Sequence, residues 1–133
     1  MKSDEQLLAE LKEATEGLTF MSESDYPFGV IRWEGVSEIS PEFIRESAGQ
    51  PPATPLKIMS ADEFFKVAAS EASWKSKEEL DTAKRYQALV RLLKENLTDL
   101  KVYRVGEINI PVYVIGRHAT GSWMGVSTRV VET

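Results

Sequence analysis

Residues 100–131, LKVYRVGEINIPVYVIGRHATGSWMGVSTRVV, read as three consecutive strands, and that reading decides the fold. Leu100 to Val105 and Ile108 to Ile115 are rich in β-branched and aromatic residues, with Gly106-Glu107 as the turn between them. A loop from Gly116 to Ser122 then leads into Trp123 to Val131. Ile108, Ile110, Val112 and Val114 share one face of the middle segment, at the period of two that a half-buried strand requires. Pro111 has no N–H to give to a ladder, which predicts an edge position or a bulge there. Strands joined by connections this short pair antiparallel, so the chain closes in a meander.

Upstream, Ser76 and Glu79 form a capping box ahead of Leu80, Ala83, Tyr86, Leu89, Val90, Leu93 and Leu97. That apolar stripe predicts the longest helix, lying across the sheet. Ser60 and Glu63 form another box, for a helix carrying Phe64, Phe65 and Ala68, and Leu56 to Met59 before it is a short strand. Gln50-Pro51-Pro52-Ala53-Thr54-Pro55 is a semi-rigid loop and not a domain boundary, since neither side is long enough for a core of its own. Ser40-Pro41-Glu42 starts a short helix that Gly49 ends. At the beginning, Ser3 and Gln6 cap a helix with Leu7, Leu8, Leu11 and Ala14 at helical spacing and Gly17 past its end.

Between that helix and the next comes GLTFMSESDYPFGVIRWEG, residues 17–35. The apolar runs Leu18 to Met21 and Phe28 to Trp33 flank Ser22-Glu23-Ser24-Asp25, which ends in Tyr26-Pro27. Hydroxyls that hold nearby N–H groups and a proline that fixes φ make this a stiff acidic tip. Val30 to Glu34 reads as a strand with Ile31 and Trp33 on one face. Helices and strands interleaved early and a closing meander predict one domain over residues 1–133, of α+β class, a layered sandwich on a mostly antiparallel sheet.

With 21 acidic and 16 basic residues the formal net charge is −5. That balance repels nucleic acid and anionic lipid and suits a basic partner surface. The absence of cysteine excludes a disulfide framework, a thiolate zinc site and a thiol nucleophile, and fits a reducing compartment. Met1-Lys2-Ser3-Asp4-Glu5 is acidic where a signal peptide carries basic residues, and no run approaches the ~20 apolar residues of a membrane span. A soluble, cytoplasmic chain is expected.

His118 is the only histidine, so a site built on two imidazoles is excluded. Within Arg117-His118-Ala119-Thr120 it reads as an exposed hairpin residue. One histidine suffices for a Ser-His-carboxylate triad, but the Gly-x-Ser-x-Gly elbow is missing. Gly116 to Ser122 has the glycine spacing of a phosphate loop, yet Ser122 stands where lysine should be and a strand follows. Lys84, Arg85, Arg91 and Lys94 are interleaved with Glu78, Glu79, Asp81 and Glu95, a solvated helix face without aromatics to stack on bases. Glu23 and Asp25 alone offer too few oxygens for a dedicated cation site. Trp74, between two helices, either covers the start of the long helix or is an exposed interface anchor. The sequence ends just past a strand at Val130-Val131-Glu132-Thr133, so the α-carboxylate, the Thr133 hydroxyl and the Glu132 carboxylate form either a frayed end or an ordered oxygen cluster.

Several blocks together resemble a known family. GLTFMSESDYPF with Trp33-Glu34-Gly35, Val102-Tyr103-Arg104-Val105-Gly106-Glu107, Val112-Tyr113-Val114-Ile115-Gly116, and Ser127-Thr128-Arg129-Val130-Val131-Glu132-Thr133 are similar to blocks of the nuclease A inhibitors. These are small acidic bacterial proteins that block a sugar-non-specific, magnesium-dependent endonuclease. Order and rough spacing agree, while Val36 to Met59 matches poorly. The resemblance implies a three-layer α/β/α sandwich of the pathogenesis-related-protein type, no catalytic residue and no cofactor of its own. It also implies inhibitory contacts at Glu23, Trp74 and Thr133, with Ser24, Asp25 and Glu132 beside them, the Thr133 oxygens serving as ligands to the nuclease's catalytic magnesium. Two departures stand beside the tryptophan: Ser73 replaces an expected acidic residue, and Lys75-Ser76-Lys77 is more basic than the family pattern.

Three functions follow as expectations. The first is an inhibitor, monomeric or in a 1:1 complex, that blocks a metal-dependent non-specific endonuclease with acidic and C-terminal oxygens in place of substrate phosphate. The second is an interaction module of the same fold with a non-nuclease target. The third is a small hydrolase using His118.

Overall fold

The Ser3 hydroxyl accepts from the Gln6 N–H, and the Gln6 side chain accepts in return from the Ser3 N–H, so α1 (Asp4–Thr15) starts on the reciprocal cap its sequence predicts. The structure, a computed structural model, describes residues 3–21, 25–66 and 76–131, with backbone alone at Thr19–Met21 and Asp25. After α1 come β1 (Thr19–Met21), β2 (Asp25–Pro27), β3 (Gly29–Trp33), α2 (Pro41–Ser47), β4 (Leu56–Met59) and α3 (Ala61–Phe65). The chain finishes with α4 (Lys77–Asn96), β5 (Leu97–Val105), β6 (Asn109–His118) and β7 (Trp123–Val131). Ser40, Ser60 and Ser76 each accept the N–H three residues on, and at α4 the Glu79 side chain completes the box. Ala68, expected on the α3 helix, lies outside the described residues.

The strands form a ribbon, β1-β2, and a five-stranded sheet in the order β3-β7-β6-β5-β4, with every pairing among the described residues antiparallel. The chain is thus an α+β protein on an antiparallel sheet. Alternation sorts the side chains. Val102, Val112, Val114, Met124 and Val126 join Leu7 and Leu11 of α1, Phe65 of α3, and Tyr86, Leu89 and Leu93 of α4 in one buried cluster. Tyr103, Val105, Ile115 and Ile31 join Ile44 of α2 in a second cluster on the opposite face. There Trp33 meets Phe43 edge-on at 4.9 Å and Tyr113 at 5.8 Å, while Trp123 Nε1 donates to the Val36 carbonyl at 2.9 Å.

Three sequence expectations are corrected. β5 begins at Leu97, not Leu100: Leu97 leaves the helix directly in extended conformation, and the register then slips between Thr98 and Lys101, with Asp99 at φ 52°. That irregularity breaks the alternation from which a strand is read. Pro111 is not on an edge strand, since β6 is the middle strand of five. Its pairing with β5 ends at Arg104↔Val112, one residue short of the proline, so no β5 residue is paired with Pro111. Finally, β6 runs through Gly116 to His118, which shortens the predicted loop to residues 119–122.

β6 and β7 approach so closely that a Cβ at Gly125 would stand 1.8 Å from the Val114 carbonyl oxygen and 2.9 Å from Ile115 Cα. Backbone atoms cannot rotate away. Gly125→Ala should therefore lose on the order of 3 kcal/mol in urea unfolding, or fail to fold; an unchanged midpoint would contradict this close approach.

Candidate functional site

Glu23, Ser24, Trp74, Glu132 and Thr133 lie outside the described residues, and of Asp25 only the backbone is described. What the structure gives is the framework on either side of them. Residues 22–24 join the two strands of the β1-β2 ribbon, paired Thr19↔Pro27, Phe20↔Tyr26 and Met21↔Asp25. Asp25 is thus a strand residue and not, as the sequence suggested, part of the polar tip.

A two-stranded ribbon of this size does not hold itself together in water, so its attachment matters. The Thr128 hydroxyl of β7 is shared between the carbonyls of Pro27, at 3.1 Å, and Tyr26, at 3.3 Å. Immediately afterwards Gly29 pairs with Ser127. The ring of Phe28, between β2 and β3, lies 6.3 Å from that of Phe65 and 6.1 Å from that of Tyr86, and Phe65 is 5.8 Å from Tyr86. This aromatic hub binds the base of the ribbon to the last residue of α3 and to α4. The hub thus joins the foot of the ribbon to the last residue of α3, which precedes residues 67–75, and the tether joins it to β7 three residues before that strand ends.

The strongest electrostatic feature lies elsewhere, and the sequence did not reveal it. Asp4, the first residue of α1, is only 7% exposed. Its Oδ1 accepts from His118 Nδ1 at 2.8 Å and from the Thr120 hydroxyl, and its Oδ2 accepts from Ser122 Oγ at 2.7 Å. Arg32 Nε of β3 stands 3.2 Å from Oδ2, and the rest of that guanidinium reaches Glu5 and Glu34. Burial by itself would raise the Asp4 pKa, but the bonds from Thr120, Ser122 and His118, together with the Arg32 charge, hold its carboxyl well below the usual carboxylate range. In the sequence Asp4 is an ordinary acidic residue in a first helical turn, favoured there by the helix dipole. Only a partner 114 residues away makes it a buried one.

This geometry corrects the placement of His118. It was expected to be exposed, yet it is 4% exposed, because β6 extends to it and the four-residue connection folds its ring inward onto Asp4. The main chain closes tightly there, with His118 N–H donating to Ser122 O at 2.8 Å and Gly121 N–H to His118 O at 2.9 Å. An acid, an imidazole and two hydroxyls do meet, but in the wrong order for nucleophilic catalysis. Ser122 and Thr120 donate to the carboxylate, and although the Thr120 hydroxyl also lies 3.1 Å from His118 Nδ1, that is the nitrogen that faces Asp4, whereas activation requires a hydroxyl donating to the ring nitrogen remote from the acid. Among the described residues no three His, Asp or Glu side chains are grouped to hold a metal, and no helix is long and apolar enough to cross a membrane.

The described part of the molecule is accordingly an α+β scaffold whose aromatic hub and hydroxyl tether attach the β1-β2 ribbon to α3, α4 and β7. Residues 5–133 match the family model described as nuclease A inhibitor-like protein, and the chain belongs to that family. Membership gives it, at that level, the role of a nuclease inhibitor with a protein partner. No curated protein matches the chain.

Asp4→Ala should lose on the order of 3 kcal/mol at pH 7, since it strands three donors and a guanidinium at a buried site. A carboxyl whose folded pKa is depressed contributes stability above its unfolded value, about 3.9, and loses it as pH falls. The gap between wild type and variant should therefore shrink in urea melts taken below about pH 4. A gap of constant size from pH 7 to pH 3 would show that the charge on Asp4 contributes nothing.

Proposed function

We propose that the chain is a stoichiometric inhibitor that binds and blocks the active site of a metal-dependent, sugar-non-specific endonuclease. The observation that carries this reading is the family match across residues 5–133. A nuclease site that binds phosphate is basic and holds a hard cation with exchangeable waters, for which carboxylate and hydroxyl oxygens are suitable ligands. Glu23, with Ser24 and Asp25 beside it, would present acidic oxygens in place of substrate phosphate. Thr133, with Glu132, would place oxygens on the partner's magnesium. Trp74 would fill an apolar pocket as the anchor. The net charge of −5 would speed encounter with a basic site. On this reading the inhibitor acts in the cytoplasm, as a monomer forming a 1:1 complex, and needs no cofactor of its own.

The framework supports the proposal in that the ribbon carrying residues 22–24 is attached both to the end of α3, just before residues 67–75, and to β7, just before residues 132–133. Ser73 and Lys75 leave the affinity to be measured, since an interfacial charge pair is worth roughly 1.5–7 kcal/mol in double-mutant cycles.

A plasmid-digestion assay with a magnesium-dependent non-specific endonuclease tests the reading. Extra residues fused after Thr133 should abolish inhibition, and the same residues fused before Met1 should not. Equal inhibition by both fusions would refute the terminal-ligand mechanism. Inhibition by neither fusion nor the native chain would point to a non-nuclease target. Glu23→Ala combined with Trp74→Ala should lose inhibition with an unchanged melting temperature, whereas a large fall in melting temperature would make those residues structural.

A further inference from the structure

The two ends of α1 are fastened by different chemistry, and only one fastening can titrate. At the C-terminal end, Arg85 of α4 donates from Nη2 to the carbonyls of Ala14, at 3.2 Å, and Glu16, at 2.6 Å. A guanidinium suits a helix C-terminus and keeps its charge at every accessible pH. In the middle, Leu7 and Leu11 are fully buried. At the N-terminal end the hold is the Asp4 carboxylate, which gathers His118, Thr120, Ser122 and Arg32 from the β6-β7 hairpin and edge strand β3.

We propose that this cluster is an acid-released latch: protonation of Asp4 frees the start of α1 from the β6-β7 hairpin and from β3 while the Arg85 end stays docked. The molecule then opens from one identified end before it unfolds as a whole.

Every charged group that faces Asp4 pushes the same way. While ionised, the carboxylate separates and satisfies two groups that can carry positive charge, His118 on β6 and Arg32 on β3. Once it is neutral, the Arg32 guanidinium faces an uncharged group, and the charge-assisted bonds from Thr120 and Ser122 lose most of their strength. Glu5 and Glu34 reach Arg32 from the solvent side, on the same guanidinium that Asp4 meets from within. The hydrophobic contacts of Leu7 and Leu11 and the Arg85 fastening are indifferent to pH. Because the hydrogen bonds favour the ionised form, release falls below the ordinary carboxylate range, under about pH 4.

An amide-resolved NMR titration of the full chain from pH 7 to pH 2 tests this. The amides of Gln6, Leu7, His118, Gly121 and Ser122 should change together, with a midpoint at higher pH than those of Leu18, Leu89 and Val114. Ser122→Ala removes one bond to the ionised carboxylate and should move that early midpoint upward by about one pH unit. Asp4→Asn should abolish the early transition. Should Asp4→Asn fail to fold, the Ser122→Ala shift decides alone. A single transition shared by all these amides, an early transition that survives Asp4→Asn, or an early midpoint unmoved by Ser122→Ala would each overturn the latch.

Discussion

β6 must bury both of its faces, and most of the architecture follows from that. Ile110, Val112 and Val114 point to one side, while Pro111 and Ile115 point to the other, and all five are buried. A strand of this kind cannot lie on a surface, so it takes the middle of the sheet and needs cover on each face. On the first face the cover is α1, α3 and α4 together, and α4 is delivered at no cost in connecting loop because Leu97 ends the helix and begins β5 in a single step. On the second face the only described helix is the seven-residue α2, and the shortfall is made up by aromatic rings. Trp33, Phe43, Tyr113 and Trp123 supply area that a short helix lacks, and both Tyr103 and Tyr113 are buried enough for their phenol pKa values to be pushed upward.

The same asymmetry explains where the candidate contacts can be carried. Segments that must meet a partner have to be exposed, and exposed segments need a rigid base. The base here is the Phe28, Phe65 and Tyr86 group, seated at the margin of the first-face core, where Phe65 and Tyr86 are themselves buried. Phe28 reaches this group because β2 is turned onto β7 by a threonine hydroxyl bonded to two main-chain carbonyls. No long-range electrostatic effect is needed to bring the ribbon, the end of α3 and the end of β7 together.

Local chemistry was readable in the sequence and distant pairing was not. The serine caps of α1, α2, α3 and α4 are patterns over three residues, and each appears in the structure where the sequence puts it, though at α3 the Glu63 side chain does not return the bond that would complete the expected box. The meander of β5, β6 and β7 was readable because its turns are short. By contrast, β3 pairs with β7 across about a hundred positions, Trp33 opposite Trp123, and nothing local announces it. His118 was misread for the same reason. Its neighbours in sequence are those of a solvated turn, and its burial depends on Asp4, at the other end of the chain. Glu23, Trp74 and Thr133 stand out in the sequence as an acidic tip, a candidate anchor and a terminal oxygen cluster, each with a bland alternative, and only the resemblance to a family joins them.

The position of the Asp4 cluster relative to the proposed contacts decides how its loss should be interpreted. Ser122 immediately precedes β7 and Thr128 lies six residues further on, which separates latch from tether by roughly 20 Å of extended strand. Between them run the rungs Trp33↔Trp123 to Gly29↔Ser127, all in unbroken register. Coupling over that span requires an element with two discrete arrangements, and a strand paired in unbroken register with β3 and β6 is a poor candidate for one. The start of α1 can therefore loosen while β7 still presents Thr128 to Pro27. Asp4, the one buried acid among the described residues, thus sits at the start of β7, while the tether that holds the β1-β2 ribbon sits near its end.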